Sequence, residues 1–248
     1  MPPIVLVTGG SRGIGAATAR LAAARGYAVA VNYLAQAAAA TQVVEDIERA
    51  GGRAIAVQGD VSLEVDVCRI FGEVDRTLGV LSALVNNAGI LERQMKVEQM
   101  TADRLARVFA TNITGAFLCA REAVRRMSTA RGGSGGAIVN VSSGASRLGS
   151  PGEYVDYAAS KGAIDTLTIG LSREVALEGI RVNAVRPGFI YTDIHARGGE
   201  PNRVDRVKEL VPMKRGGHAD EVARAIVWLL SDEASYSTGT FIDVTGGK

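Results

Sequence analysis

The chain has 248 residues, of which 47% are hydrophobic and 22% are charged, a composition typical of soluble globular proteins. Its formal net charge of +2 is too small to favour nucleic acid or an anionic membrane surface as a partner. Neither a basic leader before the first apolar run nor a stretch of about 18 apolar residues occurs, so we expect no signal peptide and no membrane span. Cys68 and Cys119 lack the spacing of a metal site or disulfide framework. We therefore expect reduced thiols, no metal and a cytoplasmic location.

Short apolar runs alternate with longer helical patterns along the chain. Strands are predicted at 4–8, 27–32, 53–58, 83–87, 137–142, 180–185 and 240–244, and helices at 13–25, 37–50, 63–78, 101–128, 156–177 and 219–231. Nearly continuous apolar strands suit a parallel sheet that is covered on both faces. The pattern predicts an α/β fold, a Rossmann-type doubly wound parallel sheet of about seven strands flanked by helices on both faces. No linker divides the chain, so we expect one domain over residues 1–248.

The segment 189–218 interrupts this alternation. It is rich in glycine, contains Pro201 and Pro212, and follows a predicted strand without an immediate crossover helix. Long irregular segments in compact domains often act as lids over a site. We expect a substrate lid here, with an ordinary surface excursion as the alternative.

The first predicted strand runs directly into TGGSRGIG (8–15) at the start of a helix. Glycines let the backbone approach a pyrophosphate, and the helix N-terminus offers free amides and partial positive charge. The spacing of Gly9, Gly13 and Gly15 differs from the G-x-G-x-x-G form. Its position after the first strand of a βαβ chain nevertheless indicates a dinucleotide site.

The end of the second strand is where nicotinamide cofactors are usually distinguished. A carboxylate there would bind the adenosine ribose hydroxyls and repel a 2′-phosphate. This chain has Asn32, Tyr33 and Leu34 instead, and Arg12 in the glycine-rich turn could pair with a phosphate. We therefore expect NADP(H) to be preferred over NAD(H).

Two later strands also end in polar residues. Asp60 follows the third strand, and NNAG (86–89) follows the fourth. Either could simply stabilise a turn. Because the carboxyl ends of parallel strands share one edge, where such sheets bind ligands, their common location favours a contact with the cofactor.

The stretch YVDYAASK contains two tyrosines, either of which could transfer a proton. Tyr157 and Lys161 are four residues apart in a predicted helix and therefore share one face, whereas Tyr154 has Ala158 at that distance. An ammonium near a phenol is expected to lower the pKa of the phenol and make it a better acid or base at neutral pH. Such a pair also arises by chance. The Ser142–Ser143 pair at the end of the preceding strand strengthens the functional interpretation, since a hydroxyl there could donate to a substrate carbonyl.

Six motifs together resemble those of the short-chain dehydrogenase/reductase family. They are TGGSRGIG, NNAG, TNITG (111–115), VSS (141–143), YAASK (157–161) and RPGFIYT (186–192), and they occur in the family's order and close to its intervals. The similarity covers essentially the whole chain. The chain resembles the classical type of the family, in the company of 3-ketoacyl-carrier-protein reductases and bacterial glucose dehydrogenases. The similarity is greatest to a group of bacterial oxidoreductases whose substrates are not evident from sequence.

This resemblance implies a role for each motif. Tyr157 would be the catalytic acid or base, Lys161 would bind the nicotinamide ribose and lower the tyrosine pKa, and Ser143 would orient the substrate oxygen. Asn112 would hold a water molecule that continues a proton relay from Lys161. Cofactor contacts are expected from Gly9, Arg12, Gly13, Ile14, Gly15, Asn32, Tyr33, Asp60, Val61, Asn86, Ala88, Gly89, Pro187, Gly188, Ile190 and Thr192. Ser143 precedes Tyr157 by fourteen residues where many relatives have thirteen, so Ser142 remains an alternative.

The resulting expectation is an NADP(H)-preferring oxidoreductase that interconverts a carbonyl and a secondary alcohol on a small sugar, polyol or alcohol. A 3-ketoacyl-carrier-protein reductase is the alternative, and a non-catalytic nucleotide-sensing protein is the alternative from a different class. Arg125, Arg126 and Arg131 could receive an acidic carrier protein or simply form a solvated helix end. The resemblance also implies a homotetramer, built on the apolar helix 221–230 and the last strand. His195 and His218 are expected on the surface or in the lid, not as metal ligands.

Overall fold

The computed structural model describes residues 2–248, and its centre is a seven-stranded sheet. The strands are β1 (Ile4–Val7), β2 (Ala28–Tyr33), β3 (Arg53–Gln58), β4 (Ala83–Asn86), β5 (Gly136–Val141), β6 (Ile180–Pro187) and β7 (Phe241–Val244). Their spatial order is β3-β2-β1-β4-β5-β6-β7, and every neighbouring pair is parallel. The chain reverses its direction of winding between β1 and β4, which is where such sheets open a crevice for ligands. The predicted doubly wound parallel sheet is confirmed.

Helices cover both faces of the sheet. The helices are α1 (Gly13–Ala24), α2 (Ala37–Arg49), α3 (Glu64–Thr77), α4 (Ala102–Phe109), α5 (Gly115–Met127), α6 (Ala145–Leu148), α7 (Val155–Glu174), α8 (Ile194–Arg197), α9 (Arg203–Val207) and α10 (Ala219–Leu230). Within residues 2–248, no helix has the length and apolar character that a membrane span requires.

The single helix predicted at 101–128 is interrupted. A π-helical turn, Ala110–Thr114, separates α4 from α5 and contains the buried residue Asn112. The amide of Asn112 donates to the carbonyl of Ile90 and to Ser160 Oγ, and its oxygen accepts from the Ile90 backbone. Apolar periodicity does not register the extra residue of a π turn, which explains why a continuous helix was predicted.

The two sides of the sheet are filled by separate apolar clusters. Val5 and Val7 pack toward α1, α2 and α10, whereas Ile4 and Leu6 pack toward α3 and α5. This is the alternation of side chains expected along a strand that is buried on both faces. All four residues are at most 4% exposed, so the sheet edge that carries the functional residues rests on a rigid core.

The segment 189–218 is more ordered than the irregular excursion predicted for it. It contains α8, α9 and a short 3₁₀ turn (Lys208–Leu210), and its two ends meet in a bridge between Ile190 and Gly217. Val204, Val207 and Val211 anchor it through buried side chains. These helices are too short to leave a clear 3.6-residue pattern in the sequence.

Replacing Gly15 tests how closely α1 approaches the turn after β1. A Cβ at Gly15 would lie 2.4 Å from the carbonyl oxygen of Gly9 and 2.6 Å from Asn87 Nδ2. Because backbone must move to admit it, we expect Gly15→Ala to lower the free energy of unfolding by about 1–3 kcal/mol, measured by urea denaturation. Gly170→Ala is the control, since it lies in α7 with open space around it and should stabilise by up to about 1 kcal/mol. Equal unfolding midpoints for Gly15→Ala and the natural protein would contradict the close approach.

Candidate active site

A cavity of about 570 Å³ opens at the carboxyl edge of the sheet. Its volume lies within the range of small-molecule and cofactor sites. Fourteen of the sixteen expected cofactor residues line it: Gly9, Arg12, Gly13, Ile14, Asn32, Tyr33, Asp60, Val61, Ala88, Gly89, Pro187, Gly188, Ile190 and Thr192. Ser143, Tyr157 and Lys161 line the same cavity. The motif residues thus meet at one continuous site although they are spread over most of the chain.

The glycine-rich turn is held by side chains from neighbouring strands. Asn87 Nδ2 donates to the carbonyls of Thr8 (2.9 Å) and Gly9 (3.0 Å), and Thr8 Oγ1 accepts from the Asn87 backbone (3.0 Å). Gly9 has a φ of +61°, and a Cβ there would lie 3.0 Å from Ala88 Cα, so glycine is needed for both conformation and space. Asn87 and Thr8 were not singled out from the sequence, although both belong to the quoted motifs.

Asn32 lines the cavity, but its side chain is committed to the scaffold. Its Oδ1 accepts from the backbone of Gly9 (3.2 Å), and its Nδ2 donates to the carbonyls of Val57 (3.2 Å) and Gly59 (3.1 Å). Asn32 is only 2% exposed. It therefore ties the glycine-rich turn to β3, while Tyr33 and Leu34 form the accessible surface at the end of β2.

Two of the expected cofactor residues, Gly15 and Asn86, lie outside the cavity lining. Gly15 serves the packing of α1 on the turn. Asn86 Nδ2 donates to the carbonyl of Ala116 (3.1 Å) and to Asn140 Oδ1 (3.0 Å), which joins β4 to β5 and α5. Strand residues alternate in direction, so Asn86 points into the core beneath the edge, and sequence position alone did not reveal this.

Asp60 combines both interpretations offered for it. Its Oδ1 accepts from the backbone (2.8 Å) and the hydroxyl (2.7 Å) of Ser62, which stabilises the turn after β3. The same residue borders the cavity, next to Val61.

Arg12 brings positive charge to the cavity beside the glycine-rich turn. Burial lowers its pKa, the guanidinium of Arg197 in α8 lowers it further, and Asp193 opposes this. Arg12 forms no ion pair with another residue in 2–248. An anionic group placed here would meet an arginine that is not engaged in an ion pair with a carboxylate of the described residues.

Tyr157 and Lys161 project from one face of α7 into the cavity. Lys161 Nζ lies 5.6 Å from the centre of the Tyr157 ring and donates to the carbonyl of Val141, at the end of β5, over 2.7 Å. Lys161 is only 5% exposed. Four-residue spacing on a helix produces this proximity, as the sequence predicted.

The predicted lowering of the Tyr157 pKa by Lys161 is wrong in direction. Burial raises the pKa of the Tyr157 phenol, and a hydrogen bond with the Ser143 side chain opposes the rise. Desolvation is the largest influence on the Tyr157 pKa, and it outweighs the favourable effect of Ser143. Burial in turn lowers the pKa of Lys161 to about 8, and the Asp165 carboxylate opposes this shift.

The structure brings Ser143, and not Ser142, to Tyr157. Ser143 borders the cavity, and its side chain is close enough to Tyr157 to favour the ionised form of the phenol. Ser142 Oγ is turned away toward Asp165 Oδ1 (2.6 Å) and the carbonyl of Lys161 (3.2 Å). Between Ser143 and Tyr157 the chain forms α6 and a loop in which Ser150 takes a left-handed backbone conformation with φ of +46°.

Asn112 lies behind the cavity wall, next to Lys161. A Cβ added at Gly89 would lie 3.5 Å from Asn112 Oδ1 and 3.6 Å from Lys161 Nζ. Both side chains therefore converge on the same backbone position. The amide of Asn112 is fully engaged with Ile90 and Ser160, so its side chain is fixed.

A buried ion pair that the sequence did not predict fixes the start of α7. Arg104 Nε lies 2.7 Å from Asp156 Oδ2, and the two side chains are 5% and 1% exposed. Asp156 Oδ1 also accepts from the backbone of Tyr157 (2.9 Å), and Arg104 donates to the carbonyl of Arg93 (2.6 Å). The pair joins α4, α7 and the chain after β4.

The cavity is also lined by Tyr154, His195 and Arg203. Tyr154, 3% exposed, is part of the cavity wall, with the Arg203 guanidinium 4.9 Å from the centre of its ring. His195 is buried, its Nε2 lies 3.1 Å from the Ile190 carbonyl, and burial lowers its pKa. His218 instead precedes α10 and stacks on Tyr191 at 5.5 Å.

Known proteins are similar to this chain over nearly its whole length. The family model described as "Enoyl-(Acyl carrier protein) reductase" matches residues 9–248. An uncharacterized oxidoreductase of Escherichia coli K12, YgfF, is 67% identical over 245 residues, covering 99% of each chain. A 3-oxoacyl-[acyl-carrier-protein] reductase, FabG, of Staphylococcus epidermidis is 38% identical over 242 residues, covering 98% of this chain and 97% of the relative.

A solved structure shares the fold. The crystal structure of a dehydrogenase/reductase from Sinorhizobium meliloti 1021 superimposes with a TM-score of 0.91 at 33% identity, covering 99% of this chain and 94% of the other. With the ordered motifs and the cavity in which they meet, these similarities show that the chain is an oxidoreductase of the short-chain dehydrogenase/reductase family.

Proposed function

We propose that the protein is an NADP(H)-preferring oxidoreductase that interconverts a small carbonyl compound and the corresponding secondary alcohol. The observation that carries this proposal is the meeting of Ser143, Tyr157 and Lys161 in a cavity continuous with the glycine-rich turn. Among the tyrosines of residues 2–248, Tyr157 alone has both a lysine one helical turn away and a serine side chain beside it.

The cavity fits a nicotinamide dinucleotide. The glycine-rich turn and the start of α1 would hold the pyrophosphate, where a Cβ at Gly9 or Gly15 would fill the space that backbone needs. Asp60 and Val61 would border the adenine, and Pro187, Gly188 and Thr192 the nicotinamide. When bound, the cofactor supplies or accepts the hydride.

The protein's own residues handle the oxygen and the proton. Ser143 donates a hydrogen bond to the substrate oxygen, which stabilises the charge that develops there during reduction. The Tyr157 hydroxyl gives its proton to that oxygen in reduction and receives it back in oxidation. Lys161 stabilises the phenolate left on Tyr157. Asn112 fixes the wall behind Lys161 and would hold the water molecule through which Tyr157 regains its proton.

The charge distribution supports a small substrate over an acyl-carrier protein. Arg125 and Arg126 both pair with Glu122, and Arg126 also pairs with Asp75, so two of the three arginines of this cluster are already paired within the chain. A site for an acidic carrier protein would need arginines free to pair with the partner. The family description and the carrier-protein reductase among the relatives make 3-ketoacyl thioesters the second candidate.

We further propose a lid over the substrate site and a homotetrameric assembly. The segment 189–218 acts as the substrate lid of a single domain, because α8 and α9 carry His195 and Arg203 to the cavity lining. The proposed location is the cytoplasm, and the proposed assembly is a homotetramer. The assembly is supported by β7, an edge strand paired only with β6, beside the partly exposed Trp228 of α10.

Removing the Tyr157 hydroxyl tests the assignment of the proton carrier. We expect Tyr157→Phe to lower kcat by ~10²–10⁴, because proton transfer is lost while the ring still packs. The measurement is steady-state oxidation of NADPH with a panel of ketones, aldoses and 3-ketoacyl thioesters, alongside NADPH binding by fluorescence. Tyr236→Phe, at a fully exposed tyrosine, is the matched control and should leave kcat unchanged. Unchanged turnover in Tyr157→Phe would refute the assignment, and NADPH binding without turnover of any compound would favour a nucleotide-sensing protein.

Arg12→Ala tests the preference for NADP(H). Loss of a charge-assisted hydrogen bond to the 2′-phosphate should raise the Kd for NADPH by about tenfold or more and leave that for NADH nearly unchanged. Arg25→Ala, at an exposed arginine following α1, is the control for general loss of positive charge. Titration calorimetry with both cofactors makes the comparison. Tighter binding of NADH than NADPH by the natural protein would contradict the cofactor proposal.

A further inference from the structure

Asp165 lies one helical turn beyond Lys161 on α7 and is outside the cavity lining. Its side chain is 14% exposed, so its charge is only weakly screened by solvent. No motif used above includes this residue. Its contacts nevertheless reach the two elements that carry the reacting side chains.

One carboxylate oxygen of Asp165 fixes the end of β5. Oδ1 accepts from Ser142 Oγ over 2.6 Å, and Ser142 directly precedes Ser143. The same hydroxyl lies 3.2 Å from the carbonyl of Lys161. The strand end bearing Ser143 is thereby joined to the helix bearing Tyr157 and Lys161.

The other carboxylate oxygen of Asp165 is oriented from β6. Oδ2 accepts from Arg186 Nε over 3.1 Å, and Arg186 itself lies 3.9 Å above the ring of Phe241. Arg186 Nη1 is 3.6 Å from Asp243 on β7, and Asp243 also pairs with Arg147. A chain of alternating charges therefore runs from the surface to Asp165 and ends beside Lys161.

The titratable and charged groups around Lys161 come from few elements. On α7 they are Tyr157 and Asp165, and on β6 there is Arg186, which is already paired with Asp165. β5 contributes the Val141 carbonyl, which accepts from the ammonium and lies next to Ser142. The π turn contributes Asn112, which is uncharged. Asp243 contacts Arg186 and is not among the groups that shift the Lys161 pKa. Asp165 thus contributes the carboxylate that favours the charged form of Lys161.

We propose that Asp165 is a positioning residue of the reaction, which keeps the Lys161 ammonium protonated and holds Ser143 in register with Tyr157. The inference rests on the proposed function, because it assigns Asp165 a task in the same site. It predicts more than an ordinary structural ion pair would. Loss of the Asp165 charge must change the titration of Lys161, whereas a merely structural role would change stability alone.

The lysine content of the chain makes this titration measurable without any substrate. The chain contains five lysines, namely Lys96, Lys161, Lys208, Lys214 and Lys248. With ¹³C-labelled lysine, the Cε resonance of each can be followed by NMR against pH, and Lys161→Arg assigns the resonance of interest. In the natural protein its midpoint is expected near the Lys161 pKa of about 8.

Three variants separate charge from tethering. We expect Asp165→Asn to move the Lys161 midpoint to lower pH by at least about half a unit, because a nearby opposite charge is lost. Ser142→Ala should leave that midpoint in place but lower kcat about fivefold through loss of one hydrogen bond. Asp243→Asn, the control at the outer end of the charge chain, should leave both unchanged.

Turnover of 2,3-butanedione and ethyl acetoacetate with NADPH, measured from pH 6 to 9, supplies the functional readout. In Asp165→Asn the fall of kcat at high pH should begin at lower pH, since Lys161 loses its proton sooner, and Asp165→Glu should restore the profile. A Lys161 midpoint that does not move in folded Asp165→Asn, or that moves equally in Asp243→Asn, would overturn the proposal. Failure of the natural protein to reduce any carbonyl would instead refute the proposed function, while the NMR titration would still decide the electrostatic role of Asp165.

Discussion

The hydrogen bond from the Lys161 ammonium to the Val141 carbonyl is the interaction on which the geometry of the site depends. It joins α7, which carries Tyr157, to the end of β5, which carries Ser143. Burying an ammonium costs free energy unless its protons donate hydrogen bonds. Losing this contact would therefore destabilise the protein more than losing a similar contact at the surface. The distance between the phenol and the serine hydroxyl is consequently set by a charged group held at the junction of helix and strand.

The sequence was a good guide to the fold and to the participants, and a weaker guide to their contacts. Strand positions followed from apolar runs, and all seven strand ends lie within two residues of their predicted limits. The sequence motifs predicted that Ser143, Tyr157 and Lys161 lie together, and all three line one cavity. This could be predicted because four-residue spacing on a helix and the shared carboxyl edge of a sheet are fixed by backbone geometry.

What the sequence could not show depends on direction and burial. Asn32 and Asn86 occupy the expected edge, but their amides bind backbone and core groups. The pKa of Tyr157 rises because desolvation exceeds the favourable neighbours, a balance that residue spacing does not report. The Arg104–Asp156 pair joins residues 52 positions apart, so only the folded chain reveals it.

The π turn at 110–114 lets the helical segment 102–127 contact α7 before the turn and the core cluster after it. One additional residue in a helix rotates everything after it by about 100° relative to what came before. α4 can therefore direct Arg104 toward Asp156 on α7, while α5 presents Cys119 and Ala123 to the core cluster on its face of the sheet. A continuous α-helix would satisfy only one of these partners. The single additional residue thus changes the rotational register of the helix. Deleting it would break either the contact of α4 with the start of α7 or the packing of α5 on the core.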